Sequence, residues 1–339
     1  MENAPAAAII LAAGKGTRMK SAHPKVLHPL AGKALLGHAL DAVTALNPKA
    51  LCVVIRHERE AVAQYVNSYC PQAILADQDE IPGTGRAVQC ALQKLGEQGQ
   101  LNGTVVITSG DVPLLESATL ENLLETQQQT GNQVTILTTL VPDPTGYGRI
   151  IRSETGAVTA IVEDRDCQES QRQIREINAG IYAFDAEFLT HALSGLGTDN
   201  DQGEVYLTDT IALAAANGRA GTYLLADYIQ AEGCNDRVQL AGLHREHNRR
   251  ILNQLMRDGV SIIDPETTWI EKSVTIAPDA VILPGCDLHG NTAIGSGAEV
   301  GPFTSLTDVK VGEGARVRRC DLRAVNLARG SNHCCETNL

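Results

Sequence analysis

The chain has 339 residues, of which 43% are hydrophobic and 20% charged, with a formal net charge of -12. This length predicts two domains with ordinary cores. The acidic balance argues against a nucleic-acid or anionic-membrane partner, because both require a net basic face. No apolar run approaches the ~18 residues of a membrane span, and Glu2 stands where a signal peptide carries basic residues. Nine scattered cysteines without a C-x-x-C pair favour free thiols in a reducing cytoplasm.

Apolar runs alternate with helical patterns over the first two thirds of the chain. This alternation predicts a mostly parallel sheet, which binds its ligands beyond the carboxyl ends of its strands. The predicted strands lie at residues 6–11, 51–55, 104–109, 157–162 and 181–184. The predicted helices lie at residues 35–46, 61–68, 86–95 and 235–259. A further helix is predicted to open in the 202–209 segment and to continue to residue 216.

A different period begins after residue 264, where aliphatic residues recur at every sixth position. A period of six is typical of a parallel β-helix, in which each hexad forms one strand of a triangular coil. Six hexads predict two coils and a partial third, the spacing resumes over 311–317, and the polar tail is expected to be irregular. The chain is therefore divided at 1–234, 235–260 (helical linker), 261–327 (β-helix) and 328–339 (tail). The repeated aliphatic residues are Ile276, Ile282, Leu288, Ile294, Val300 and Leu306.

The loop after the first predicted strand combines glycines with positive charges. Gly14 and Gly16 would let backbone N–H groups face an anion, and Arg18 and Lys25 supply charges suited to a triphosphate. Neither familiar glycine motif fits, because the P-loop spacing is absent and the dinucleotide fingerprint needs a third glycine where Met19 stands. An ordinary strand-to-helix turn with solvated charges is the plainer alternative.

Residues 11–19 read L-A-A-G-K-G-T-R-M and are followed by Pro24-Lys25. This stretch resembles the signature of sugar-nucleotide pyrophosphorylases. Together with later motifs, it resembles the bifunctional family that makes UDP-N-acetylglucosamine, with an N-terminal uridyltransferase and a C-terminal hexapeptide-repeat acetyltransferase. The later motifs are Gly83-Thr-Gly85, Gly110-Asp111, residues 143–149, Val162-Glu163, Glu176-Ile-Asn178, Gly203-Glu204 with Tyr206 and Thr208, and residues 233–237.

The resemblance implies a Rossmann-like α/β nucleotidyltransferase domain, a long helix and a short left-handed parallel β-helix. It implies that UTP and N-acetylglucosamine 1-phosphate react with Mg2+ present, with Arg18 and Lys25 as catalytic cations and Asp111 and Asn235 as metal ligands. Such oxygen donors suit Mg2+, although Asn235 could instead cap a helix. The implied substrate-binding residues are Leu11, Ala12, Ala13, Gly14, Gln78, Gly83, Thr84, Ser109, Gly110, Gly148, Glu163, Asn178, Glu204, Tyr206, Thr208 and Asn235.

Departures from the family pattern leave the sugar preference open. Ser109 stands where the family often has Tyr, Pro82 where it has Leu, and Arg86 where it has His. A nucleotidyltransferase for another sugar 1-phosphate therefore remains an alternative, as does a non-catalytic hexapeptide-repeat scaffold. The family's acetyl-transfer residues lie in later coils, so no acetyltransferase activity is expected from this chain. The resemblance also implies a homotrimer formed through the β-helix.

Overall fold

The computed structural model describes residues 4–99, 101–197 and 203–335. The chain forms two compact units, Met1–Gln239 and Leu240–Leu339. The boundary between them lies inside the helix that the sequence predicts at 235–259. No helix in the described residues is both long and apolar enough to cross a bilayer.

The described residues of the first unit form a nine-stranded sheet and a small hairpin. The main path of the sheet has the order β11-β7-β10-β6-β1-β4-β5, and β8 joins it through β10 and pairs with β9. The strands are β1 (Ala7–Leu11), β2 (Pro29–Leu30), β3 (Lys33–Ala34), β4 (Leu51–Ile55), β5 (Ile74–Asp77), β6 (Thr104–Ser109), β7 (Val134–Leu140), β8 (Arg149–Arg152), β9 (Val158–Val162), β10 (Glu176–Asp185) and β11 (Ala220–Leu225).

Helices that precede residue 217 pack on both faces of this sheet. Along β1, Ala8 and Ile10 join one buried cluster while Ala7 and Ile9 join the other, because alternate side chains point to opposite faces. Burial on both faces explains why the central strands read as continuous apolar runs. The helices are α1 (Leu35–Thr44), α2 (Arg59–Tyr69), α3 (Thr84–Gly96), α4 (Ser117–Thr130), α5 (Glu169–Arg172), α6 (Ala186–Ser194), α7 (Asp209–Ala216) and α8 (Arg237–Arg257).

The main path of the sheet is mostly parallel, as predicted, with one inserted antiparallel strand, and the β8 and β9 pairings beside it are antiparallel. β1 is parallel to β4 and β6, whereas β10 is antiparallel to β6 and β7. The bounds predicted for β4 and β6 are those observed. The start predicted for α7 at 202 lies outside the described residues, and the helix begins at Asp209.

The second unit is a left-handed parallel β-helix whose strands stack in three parallel sheets. The first coil meets α8, where the buried Asn248 donates to the Thr268 carbonyl (2.8 Å) and accepts from the Ile270 amide (3.1 Å). The strands are β12 (Ser261–Ile262), β13 (Trp269–Ile270), β14 (Thr275–Ile276), β15 (Val281–Ile282), β16 (Asp287–His289), β17 (Ala293–Ile294), β18 (Glu299–Val300), β19 (Ser305–Thr307), β20 (Lys310–Val311), β21 (Arg316–Arg318), β22 (Asp321–Arg323), β23 (Asn326–Leu327) and β24 (Asn332–Cys334).

The predicted number of coils was too small. The described strands make four coils and begin a fifth, whereas the repeat count predicted two coils and a partial third. Ile270 follows Ile262 by eight positions and Leu322 follows Val317 by five, so these coils fall outside a search for intervals of six. The tail predicted to be irregular from 328 contains β24, which pairs with β21; residues 336–339 lie outside the description.

The expectation that all the cysteines are free thiols was also wrong. All nine cysteines lie in described segments, and Cys320 forms a disulfide with Cys335 while the other seven are free. The partners lie on neighbouring coils, because the β21–β24 pairing aligns Arg318 with Cys334, one residue before Cys335. Stacking of coils, which the spacing of the cysteines does not reveal, therefore creates this pair.

Candidate active site

The glycine loop and Asp111 meet at the carboxyl edge of the first unit's sheet. The β1–β6 register aligns Leu11 with Ser109, and the Gly110 amide donates to the Leu11 carbonyl (2.9 Å). The Ala12 amide donates to the Val54 carbonyl (2.9 Å), which fixes the exit from β1. The predicted substrate-binding stretch from Leu11 through Ala13 to Gly14, and the pair Gly110-Asp111, therefore leave neighbouring strands side by side.

Gly16 allows the loop to approach Lys25 closely. Its φ of 61° lies in the left-handed region that favours glycine, and a Cβ there would lie only 2.5 Å from Lys25 Cβ. The loop then enters a short 3-10 helix at Thr17–Met19, and Lys25 begins a second one at Lys25–Leu27. The sequence Gly-Thr-Arg-Met thus folds back so that Lys25 faces the site.

Lys25 Nζ joins the two predicted metal ligands. It forms an ion pair with Asp111 Oδ2 and donates to Asn235 Oδ1 (3.3 Å). Asp111 Oδ1 accepts from Ser109 Oγ (2.5 Å), so both carboxylate oxygens are held. The side chains of Lys25 and Asp111 are only 13% and 12% exposed, which strengthens their interaction relative to a surface pair.

Asn235 is held against this cluster by the segment before α8. The Cys234 amide donates to the Asp111 carbonyl (2.9 Å), and the Asn235 amide donates to Gln239 Oε1 (2.7 Å). The helix cap proposed for Asn235 belongs instead to Asp236, whose Oδ1 accepts from the amides of residues 238 and 239. The Asn235 carboxamide oxygen is therefore directed at Lys25, next to Asp111.

Arg18 lies outside this network of contacts. It is exposed on the Thr17–Met19 turn, and it has no ion pair within the part of the chain that the structure describes. Another arginine, Arg237, ties the turn to the start of α8 through Nε and the Met19 carbonyl (3.3 Å). Arg18 thus remains available to an anion approaching from solvent.

A second loop, predicted to bind the uracil ring, is joined to the segment before α7. The Gly85 amide donates to the Val205 carbonyl (2.8 Å), and the Val205 amide donates to the Pro82 carbonyl (3.0 Å). The Leu207 amide donates to Thr84 Oγ1 (3.2 Å). Gly83 has φ 115°, and a Cβ there would lie 2.3 Å from the Val205 carbonyl oxygen, so this crossing requires glycine.

Gln78 and Arg86 hold this loop in shape. Gln78 Nε2 donates to the carbonyls of Ile81 (3.0 Å) and Gly83 (3.2 Å), so the amide group expected to read the base bonds its own loop. Arg86, which stands where the family often has histidine, pairs with Asp79 at the start of the loop. These contacts order the loop between β5 and α3.

Four predicted sugar-binding residues come together around a second part of the site. The Asn178 amide donates to the Gly148 carbonyl (2.8 Å), and Thr208 Oγ1 donates to Glu163 Oε1 (3.1 Å). A Cβ on Gly148 would lie 3.6 Å from both Asn178 Cβ and Glu163 Oε2. Gly148 and Thr208, which are 60 residues apart in the sequence, therefore line one small region.

The polar groups of this region are set by burial and by a bulge in β10. Burial raises the pKa of Glu163, and the hydrogen bond from Thr208 opposes that rise. Asn178 is 9% exposed; its Nδ2 donates to the Tyr182 hydroxyl (2.7 Å) and its Oδ1 accepts from the Gly180 amide (3.1 Å). The interrupted β7–β10 register between Asn178 and Tyr182 marks the bulge.

Two further predicted residues lie on the segment that enters α7. Tyr206 is buried at 8% exposure, and Glu204 is half-buried. Glu204 carries a negative charge that helps to raise the pKa of Glu163. Glu204 therefore acts on the Glu163–Thr208 contact through its charge, and Tyr206 lies two positions before Thr208.

Sequence reasoning missed Arg149, Asp164 and Tyr182, which support the region around Glu163. Arg149 is 2% exposed, and its Nη2 donates to Asp164 Oδ1 (2.8 Å). Nothing in local periodicity signals a buried arginine, because a charged residue normally indicates a solvated position.

In the described residues, no cluster of three or more histidine, cysteine or acidic side chains could hold a metal. The pair Asp111 and Asn235, with one carboxylate and one amide oxygen, lies outside that definition.

Comparison with known proteins agrees with this geometry. Residues 8–175 match the family model described as the MobA-like NTP transferase domain. A solved Bacillus anthracis protein, provisionally assigned as a glucose-1-phosphate thymidylyltransferase in complex with sucrose, has a TM-score of 0.55. It is 17% identical, and the match covers 70% of this chain and 93% of that one, a likeness of fold alone. The fold and the site thus define a chain with a nucleotidyltransferase domain.

Full-length relatives narrow the assignment. "Bifunctional protein GlmU" of Paenarthrobacter aurescens is 54% identical over 93% of this chain and 64% of its own length. The protein of the same name from Bifidobacterium animalis is 50% identical over 96% of this chain and 71% of its own length. The chain belongs to the bifunctional GlmU family. It spans about two thirds of the length of these curated relatives.

Proposed function

We propose that the chain is an N-acetylglucosamine-1-phosphate uridyltransferase that forms UDP-N-acetylglucosamine and pyrophosphate. The observation that carries the proposal is the contact of Lys25 Nζ with oxygens of both Asp111 and Asn235. A cation held between two oxygen donors beside a glycine loop suits a reaction between phosphates. That reaction needs positioning and charge stabilisation more than a covalent nucleophile.

Asp111 and Asn235 would hold Mg2+ in this proposal. A carboxylate and an amide oxygen are hard donors, and Mg2+ retains several waters and takes further oxygens from bound phosphates. When bound, the ion would neutralise phosphate charge. Lys25 would hold the transferring α-phosphate, the exposed Arg18 would bind the leaving phosphates, and backbone amides of the Gly14 loop would face the same anion.

The sugar phosphate would occupy the region formed by Gly148, Glu163, Asn178 and Thr208. Glu163 can accept hydrogen bonds from sugar hydroxyls, and Asn178 offers a carboxamide for the N-acetyl group. Gly148 adds no side chain between them, and a Cβ there would lie 2.8 Å from Ile161 Cγ2 and 3.6 Å from Glu163 Oε2. Gln78, Gly83 and Thr84 would bound the uracil ring, with Tyr206 and Glu204 behind the sugar.

The proposal covers the uridyltransferase reaction alone. It retains the division of the chain into functional segments that end at residues 234, 260 and 327. It includes a homotrimer formed through the β-helix, to be tested by light scattering coupled to gel filtration. It also includes a cytoplasmic location, which the acidic composition and the nine mostly free cysteines favour. If the measured mass is that of a monomer, the proposed trimer is wrong, but the proposed reaction does not depend on it.

Pyrophosphate release from UTP and N-acetylglucosamine 1-phosphate with Mg2+ tests the reaction, measured beside Asp111→Ala. Release that disappears in Asp111→Ala supports both the reaction and the metal role. Release with glucose 1-phosphate in preference would keep the chemistry and change the sugar, which the departures at Ser109, Pro82 and Arg86 allow. No release with any sugar phosphate from a folded sample would leave the scaffold alternative.

A further inference from the structure

Arg149 is among the largest fully buried side chains of the chain, at 2% exposure. Its guanidinium contacts the Tyr147 carbonyl through Nη1 and donates to Asp164 Oδ1 through Nη2 (2.8 Å). Nε has no hydrogen-bond partner among the residues that the structure describes. A buried charge is costly unless it is paired, so Asp164, at 24% exposure, is the counter-ion that makes this position tolerable.

The Arg149–Asp164 pair lies directly behind the proposed sugar site. In β8–β9 pairing Arg149 is opposite Val162, and in β8–β10 pairing it is opposite Ile177. Each residue at this junction adjoins one that faces the sugar: Gly148 precedes Arg149, Glu163 precedes Asp164, and Asn178 follows Ile177. The ion pair therefore joins two of the four segments that line the proposed pocket, those that carry Gly148 and Glu163.

The backbone holds Gly148, whose carbonyl accepts from the Asn178 amide (2.8 Å), more directly than it holds Glu163. The β8–β9 hairpin meets the main sheet through a single register pair between β8 and β10. Glu163 lies past the end of β9, in the turn before the Asp164–Asp166 3-10 helix. The side-chain tie from Arg149 to Asp164 thus acts where the ladder of backbone hydrogen bonds ends.

We propose that Arg149 and Asp164 are positioning residues that hold Gly148 and Glu163 at the spacing the sugar phosphate requires. The inference rests on the proposed sugar site. Neither residue needs to touch the substrate, because the ion pair acts on the residues beside it. Loss of the pair should weaken binding of the sugar phosphate while the nucleotide loop, held through Val205, keeps its shape.

Steady-state kinetics of Asp164→Asn test the inference, because this change removes the charge and keeps the size of the side chain. We expect the KM for the sugar 1-phosphate to rise about tenfold, the scale of one charge-assisted hydrogen bond, with the KM for UTP and kcat within about twofold of wild type. Arg152→Gln is the matched control. It removes the partly exposed Arg152–Glu176 pair (2.5 Å), which joins the same strand β8 to β10 instead of to the segment that carries Glu163.

Asp164→Glu separates a positioning role from a general loss of stability. It keeps the charge, so its KM for the sugar 1-phosphate should lie closer to the wild-type value than that of Asp164→Asn. Thermal unfolding of all the variants checks that they are folded. An unchanged sugar KM in Asp164→Asn, an equal rise in both KM values, or identical KM values for the Asn and Glu variants would overturn the inference. If the wild-type protein accepts no sugar phosphate, both the proposed function and this inference are wrong. If the wild type is active and Asp164→Asn has unchanged kinetics, only this inference is wrong.

Discussion

Lys25 and Asp111 form an ion pair across 86 positions of the sequence, and Asn235, 210 positions from Lys25, accepts from the same ammonium. The glycine loop, the end of β6 and the segment before α8 therefore converge on one cation. Each contributes a single polar group, so the function of the cluster depends on all three segments being in place.

Replacement of Lys25 by methionine should remove most of the activity. The side chain remains unbranched and is one atom shorter, and it loses the charge that faces Asp111. We expect kcat to fall on the order of 10²-fold, as for loss of one preorganised group at a developing charge. Pyrophosphate release measures this. Lys33→Met is the control, because it breaks the exposed Lys33–Asp41 pair of the same unit. Equal activity in both variants would contradict a catalytic role for Lys25.

Replacement of Gly83 by alanine should disturb the nucleotide loop. An alanine Cβ would lie 2.3 Å from the Val205 carbonyl oxygen, so the loop and the segment entering α7 must separate. We expect unfolding free energy to fall by about 2 kcal/mol or more and the KM for UTP to rise. Gly103→Ala controls for backbone strain, since Gly103 has nearly the same φ (112°) but an added Cβ would meet only Ala6 Cβ at 3.6 Å. A smaller loss in Gly83→Ala than in Gly103→Ala would refute the argument.

The raised pKa of Glu163 should appear in the pH dependence of stability. Burial, together with the charges of Asp166, Asp209 and Glu204, raises this pKa above its ordinary value of 4.5. A raised folded-state pKa contributes stability that is present below the unfolded pKa and is lost as pH rises through the folded pKa. Wild type should therefore lose melting temperature relative to Glu163→Gln between pH 4 and neutrality. Scanning calorimetry across that range measures the difference, and a gap that does not change with pH would contradict it.

The Cys320–Cys335 disulfide predicts a definite number of reactive thiols. In denaturant without reductant, seven thiols should react with a chromogenic disulfide reagent, and nine should react after reduction. Nine before reduction would restore the expectation of free cysteines. Cys335→Ser and Cys320→Ser should each give eight thiols in both conditions, which checks that these two cysteines are the partners.

Sequence patterns alone located the parts of the site that depend on short-range chemistry. The stretch 11–19 indicated a phosphate loop because glycine spacing and cations are local features, and the buried strands before Gly14 and Asp111 indicated that both leave the same sheet edge. The structure places Gly148, Glu163, Asn178 and Thr208 together, and the resemblance had assigned them to one substrate. Their roles stay proposals to be tested by the kinetics above.

Other features depend on contacts that no local pattern encodes. The intervals of eight and five residues hid complete coils, because a coil is defined by its stacking on its neighbour and tolerates insertions at its corners. The Arg149–Asp164 and Cys320–Cys335 pairs likewise arise where strands from distant positions align.

The sequence by itself determined the period of each segment: a mostly parallel sheet with helices, then a β-helix. It also determined which residues have the charge and oxygen donors for phosphate chemistry. Only the tertiary structure decided that Lys25 meets Asp111 and Asn235, that Asp236 caps α8, and that a buried arginine pairs with Asp164 beside the proposed sugar region. The physical reason is that periodicity reflects which face of an element is buried, whereas pairing between side chains depends on the register in which separate elements meet.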